Sequence, residues 1–177
     1  MKYVVVYLLR GKVQEYHEKL MKEVGPKFGE DYMIKNPIPA HITLKSPFYL
    51  KNVNVLERTL KSFVRKYKPS RIEIRDFGNF DRFVSFLKIK FSKESKTMHK
   101  RLLKELTKIS GVELREFDIN FKPHATIAYG NKKQTFDKIW EYLNKLNKPH
   151  FNLNFDNLTI LKKPRKFWKI HKIFEIR

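Results

Sequence analysis

Cysteine is absent from all 177 residues of the chain. That excludes a disulfide framework, a thiolate-held metal and a cysteine nucleophile, and it suits a reducing compartment. Acidic residues are scarce: 18 Asp and Glu stand against 39 Lys and Arg, a formal net charge of +21. Such a chain attracts polyanions, of which nucleic acid is the commonest. Surface lysines that only confer solubility are the alternative, since the cations are spread along the chain rather than blocked. No apolar run approaches the roughly 20 residues of a membrane span. "MKYVVVYLLRGK" begins like a leader, but its apolar run ends at Leu9, Arg10 and Lys12 follow, and no small-residue cleavage site is present. It reads as a first strand. The expectation is a soluble, cytoplasmic monomer with no membrane partner.

What is present is core material. Hydrophobic residues make up 41% and aromatics 14%, which excludes a disordered chain despite 32% charged residues. The length suits one domain or two small lobes sharing a core. Tyr3 to Leu9 is a β-branched run too short for a helix. Val13, Tyr16, Leu20, Met21 and Val24 fall at helical spacing, with a stop predicted at Gly25 and Pro26. A polar loop precedes a strand at His41. Leu56 to Tyr67 reads as a helix, Arg71 to Phe77 as a strand and "GNFD" as a turn. The order then repeats: a strand at Phe83 to Phe91, a helix from Met98 to Ile109, a strand at His124 to Tyr129 and a helix from Phe136 to Leu143. Three strand-like runs follow, at 151–155, 158–161 and 167–176. The pattern is a duplicated architecture within one domain, 1–177. The approximate repeats are 1–80 and 81–177, with C-terminal strands free to cross between the lobes.

Two stretches carry chemistry. In "PAHITLKSPF", His41, Thr43 and Lys45 alternate with Ile42 and Leu44; in "KPHATIAYG", His124 and Thr126 alternate with Ala125 and Ile127. Alternate strand residues share a face, so each His projects with its Thr. The two histidines are 83 residues apart. If a pseudo-twofold relates the halves, two imidazoles and two hydroxyls meet in one groove. Imidazoles titrate near neutrality and can serve as one base and one acid. Threonine hydroxyls can bond the oxygens of a phosphate where charge builds. The set suits in-line displacement at phosphorus without a metal or other cofactor.

Two His-x-Thr motifs at this spacing resemble the 2H phosphoesterase superfamily, and within it the 2′-5′ RNA ligase-like and RNA 2′,3′-cyclic phosphodiesterase group. "HITL", "PHATIA", the central "FGNFDRFVSFLKI" and the closing "LTILKK" with "FWKIHKIFEI" carry the likeness over most of the chain. The resemblance implies a bilobal α+β fold with two antiparallel sheets lining a central groove and helices outside. It implies catalytic roles for His41, Thr43, His124 and Thr126, and opening of a 2′,3′-cyclic phosphate on RNA or a nucleotide to a 2′-phosphate. His124 is taken as the group that activates water and His41 as the acid, although the near-symmetry of the halves leaves that order open. Tyr129 stands near where many members carry an Arg, and Lys162 and Lys163 where Arg or Ser is common. Lys45, Tyr129 and Lys162 are therefore candidate substrate contacts. Alternatives are 2′-5′ ligation or hydrolysis of another cyclic phosphate at the same site, or a silent basic RNA-binding module.

The bland readings are these. A strand His is usually structural, and Thr is commonplace in sheets. His17 reads as half-buried packing on the first helix, His99 as a helix flank, His150 as part of a turn and His171 as outward-facing. None has partners at zinc spacing, so no metal is expected. Phe80 and Phe83 can stack on a base, but packing is the simpler account in a chain with 15 Phe.

Overall fold

Alternating and helical apolar patterns resolve, in a computed structural model describing residues 1–130 and 132–177, into eight strands and six helices. The first half holds β1 (Lys2–Leu8), α1 (Lys12–Lys27), α2 (Tyr32–Lys35), β2 (His41–Tyr49), α3 (Asn54–Val64) and β3 (Ser70–Phe80). The second holds β4 (Val84–Phe91), α4 (Lys93–Leu106), α5 (Glu116–Ile119), β5 (His124–Tyr129), α6 (Lys133–Lys145), β6 (His150–Phe155), β7 (Asn157–Lys163) and β8 (Lys169–Glu175).

The strands form two antiparallel four-stranded sheets, ordered β2-β1-β7-β8 and β5-β4-β3-β6. The fold is α+β and two-lobed. Each sheet draws on both halves of the chain: β3 joins the sheet of β4 and β5, while β7 and β8 join that of β1 and β2. Apolar residues from α1, α3, α4 and α6 bury against one face of the sheets in a continuous core that includes Leu20, Leu60, Leu102, Leu143, Ile42 and Ile127. The motif strands β2 and β5 are both edge strands, and they approach one another.

Two local expectations are corrected. Helix α1 continues through Gly25 and Pro26 to Lys27. Pro26 lies in the last turn, where the end is closed by Phe28 N–H and Glu30 N–H donating to the Gly25 carbonyl and Gly29 N–H to that of Pro26. Glycine is needed at 25 because a Cβ there would collide with the Glu30 carbonyl. Likewise "GNFD" is mostly strand. The turn is Asp81–Arg82, both left-handed at φ 47° and 53°, with Phe83 N–H bonded to Phe80 O at 2.8 Å. Two positive-φ residues match the twist of a hairpin. Gly78 stays in β3 because the Phe86 ring lies where its side chain would be.

Candidate active site

The two motif strands have the same burial alternation over their first five residues, half-buried at His and Thr and buried at the next, fourth and fifth positions. The fourth and fifth are buried together because each strand carries a β-bulge immediately after its Thr. Val6 pairs with Thr43 but Val5 with Lys45, leaving Leu44 as the extra residue. Phe86 pairs with Thr126 but Ser85 with Ala128, leaving Ile127 extra. Bulges re-aim side chains and recur beside active sites.

Each catalytic candidate is fixed by its own entry segment. His41 Nδ1–H donates to the Pro39 carbonyl at 2.7 Å, and His124 Nδ1–H to that of Lys122, also at 2.7 Å. A carbonyl only accepts, so Nδ1 carries the proton in both rings and Nε2 is left with its lone pair. Burial pushes the His41 imidazole down to about 4, against the bond to Pro39, and the like charges of His17 and His124 push the same way. Burial also lowers His124, partly offset by the Lys122 carbonyl. Phe80 and Phe86 pack on the His124 ring at 4.8 and 5.2 Å between centroids. Thr43, Ser46, Phe80, Asp118, Lys122 and His124 line a cavity of about 490 Å³. The Thr126 hydroxyl meets that of Tyr129, whose phenol is raised chiefly by burial.

The secondary candidates separate. Tyr129 rejoins the Thr126 face after the bulge, in ring contact with Tyr32 and Phe83 at 5.1 and 5.8 Å. Lys45 does not share the face of His41 and Thr43. The bulge turns it inward, where it is 0% exposed and bonded to Asp118 Oδ2 at 2.8 Å. Ser46 takes its place on the cavity wall. Lys162 is corrected too: it pairs with Tyr3 on the helix-covered face. Lys163, one residue on, shares the Thr43 face and lies 6.0 Å from the Trp168 ring. Phe80 packs against His124 and Phe86.

His17, read as half-buried packing, and His99, read as a helix flank, have a more specific place. His17, on α1, is 2% exposed and its Nε2–H donates to the Thr126 carbonyl at 2.8 Å. His99, on α4, is equally buried; its Nε2–H donates to the Leu44 carbonyl at 2.7 Å, and its ring stacks on Phe121 at 3.7 Å. Each thus holds a carbonyl at one of the bulges. They are 82 residues apart, nearly the offset of the motif histidines; that shared offset is the signal in the sequence. His150 and His171 bond Glu73 and Glu57. Among the described residues no three His, Asp or Glu side chains converge as a metal site.

Burial lowers His17, His41, His99 and His124 alike. The unfolded chain, with imidazoles near ~6.5, therefore binds more protons on the acid side, and stability present above that pH is lost below it. The thermal midpoint is expected to fall steadily from about pH 7 to about pH 5, and the fall to be shallower in His99→Gln. A midpoint flat over that range contradicts the neutral burial of these rings.

The sequence model described as the 2′-5′ RNA ligase superfamily matches residues 11–166. A protein of Bacillus pumilus (strain SAFR-032), provisionally named a phosphoesterase, is 26% identical over 132 residues, 72% of this chain and 70% of its own length. A crystal structure from Thermus thermophilus superposes with a TM-score of 0.70 at 18% identity, covering 100% of this chain and 98% of that one. E. coli LigT in apo form superposes at 0.60 and 16%, covering 99% and 96%, and its complex with 3′-AMP at 0.53 and 12%, covering 99% and 97%. No helix among the described residues is long and apolar enough to cross a membrane. The chain belongs to the 2′-5′ RNA ligase superfamily, the 2H phosphoesterases.

Proposed function

We propose that the protein hydrolyses a 2′,3′-cyclic phosphate on RNA or a nucleotide to the 2′-phosphate. One observation carries this reading: two imidazoles on facing edge strands, each with Nδ1 tied to a backbone carbonyl, Nε2 free and a Thr two residues on. Nε2 of His124, which lines the open cavity where water enters, takes a proton from water as its oxygen bonds to phosphorus. The P–O3′ bond breaks, and His41 Nε2–H gives its proton to O3′. The phosphate stays on O2′. Thr43 and Thr126 donate to the non-bridging oxygens. The binding of 3′-AMP by E. coli LigT supports a nucleotide in this groove.

Both imidazoles are neutral near neutral pH in the free protein, so the reactive form, with one proton shared between them, is gained by acidification. The kcat/KM profile is expected to rise nearly tenfold per unit as pH falls from about 8 toward 6.5, and to peak below about 6.5. The kcat profile, which reports the complex, lies at higher pH because the bound phosphate anion favours protonated imidazole. A kcat/KM maximum on the alkaline side of neutrality refutes the assignment of both rings as lowered acid–base groups.

The direct test is turnover of a mononucleotide 2′,3′-cyclic phosphate in a chelator, with the product read by phosphorus NMR. A 2′-phosphate is expected. A 3′-phosphate reverses the leaving oxygen, and salt-sensitive RNA binding with no product at all favours a silent binding module.

A further inference from the structure

The catalytic face of the second sheet does not end at His124. On β4, alternation puts Phe86, Lys88 and Lys90 on that face, with Lys88 directly across from His124. Lys90 pairs with Glu73 of β3, so Arg71 and Arg75 share the face. Across β6, Asn154, Asn152 and His150 stand opposite Arg71, Glu73 and Arg75. The intervening Ile72, Ile74 and Ile89 are buried on the other side. The result is an open polar sheet: Arg71, Arg75, Lys88, Lys90, Asn152 and Asn154 are all exposed. Two carboxylates lie on or beside it, both paired: Glu73 is nearly buried beneath Arg75 and His150, each bonded to it at 2.9 Å, and Asp76, on the wall of the adjoining cavity, is bonded by Lys148 at 2.8 Å. A second cavity of about 630 Å³, lined by Arg75, Lys88, Lys90, Lys96 and Lys122, adjoins the catalytic one and shares Phe80, Phe121 and Lys122 with it.

A cationic surface continuous with a phosphate-handling site fits a polyanion that enters that site by its end. A 2′,3′-cyclic phosphate occupies both hydroxyls of a terminal ribose. Any attached chain must leave through the 5′ oxygen, with one negative charge at every linkage. Asn152 and Asn154 offer donors and acceptors to the 2′-hydroxyls that such a chain carries. We propose that this face binds the single-stranded RNA lying 5′ of the reacting ribose, so that the protein acts on RNA ends in preference to mononucleotides. The proposal rests on the cyclic-phosphate reading above.

The test compares a tetraribonucleotide and a mononucleotide, both ending in a 2′,3′-cyclic phosphate, and adds direct binding of a labelled tetraribonucleotide ending in a 2′-phosphate. With three or so phosphates engaged, binding and the oligonucleotide kcat/KM should fall roughly 20-fold between about 50 and 200 mM salt, and the mononucleotide kcat/KM only about threefold. Arg71→Glu with Lys90→Glu reverses two exposed cations away from the reacting groups. It should cost tenfold or more in both oligonucleotide readouts and leave mononucleotide turnover unchanged. Equal kcat/KM for the two substrates, or oligonucleotide binding untouched by the double reversal, overturns the proposal. If neither substrate is turned over, the cyclic-phosphate reading fails, and the binding arm alone still decides whether this face holds RNA.

Discussion

His124→Ala is expected to lower kcat on a 2′,3′-cyclic nucleotide by about 100- to 10,000-fold while changing KM far less, and His41→Ala to do the same. The reason lies in where each ring is used. In the proposed mechanism Thr43, Thr126 and the cavity wall meet the phosphate before and during reaction, and so would set much of the binding. The imidazoles matter when a proton leaves water and another reaches O3′, both in the transition state alone. The two transfers are one event, so removing either ring strands the other. The double variant should be about as slow as the slower single one. Direction of transfer is readable from pH. Loss of the base removes the acidic limb of kcat/KM, and loss of the acid removes the alkaline limb. With His124 as base, His124→Ala keeps only the alkaline limb; if it keeps only the acidic limb, the roles are exchanged. Full activity in the double variant would sink the mechanism.

The second large effect concerns folding. Lys45 is wholly buried, and its ammonium is matched by Asp118 alone among carboxylates at bonding distance in the described residues. Asp118 also accepts from Ser46 N–H at 2.6 Å, Ser46 O–H at 2.8 Å and Arg115 N–H at 2.8 Å. Burial alone would raise the Asp118 carboxyl; Lys45 and these bonds outweigh it and hold it low. Asp118→Ala leaves a buried cation uncompensated, at a cost of about 3–5 kcal/mol. Lys45→Met with Asp118→Leu removes both charges and should recover most of that loss, since an apolar pair can replace a buried ion pair at little cost. Urea unfolding at constant m-value measures both. Asp118→Ala within about 0.5 kcal/mol of the parent, the usual size of a neutral surface change, contradicts the pairing. The double variant also separates two roles of the lysine. If Lys45 contacted phosphate, KM would rise sharply even after stability was restored; the buried geometry predicts that it does not.

These residues show what a linear reading reaches. His41 and His124 open their strands where the alternation places them, because alternation is local and the buried partners Ile42 and Ala125 enforce it. The strands and helices follow from the same patterning; their assembly into two antiparallel sheets with helices outside is what the family resemblance implies. Plain alternation misplaces Lys45 because a bulge is a property of two strands: nothing in "HITLK" announces that Val5 will face Lys45. Its partner lies on α5, a four-residue helix with no periodicity to detect. His17 and His99 stand on helix faces that look like packing, and their carbonyl partners come from distant strands. The exchange of β3 for β7 and β8 between the sheets is likewise a matter of topology; the sequence leaves the C-terminal strands free to cross but does not mark which do.

The matched bulges also decide which residue stands in the groove beyond each His-x-Thr. Each resets the phase of its strand, so the residue that returns to the groove is five places after the His, not four. Those positions are Ser46 in one strand and Tyr129 in the other. The positions a plain alternation would choose, Lys45 and Ala128, are both buried, at 0% and 1% exposure. A near-symmetric pair of His-x-Thr strands therefore ends in a small hydroxyl on one side and a phenol ringed by Tyr32 and Phe83 on the other. Handedness is written at the fifth position. Deleting Leu44 or Ile127 would remove the extra residue, so that plain alternation brings the same Ser46 or Tyr129 to the groove, now four places after the His, without altering either His-x-Thr.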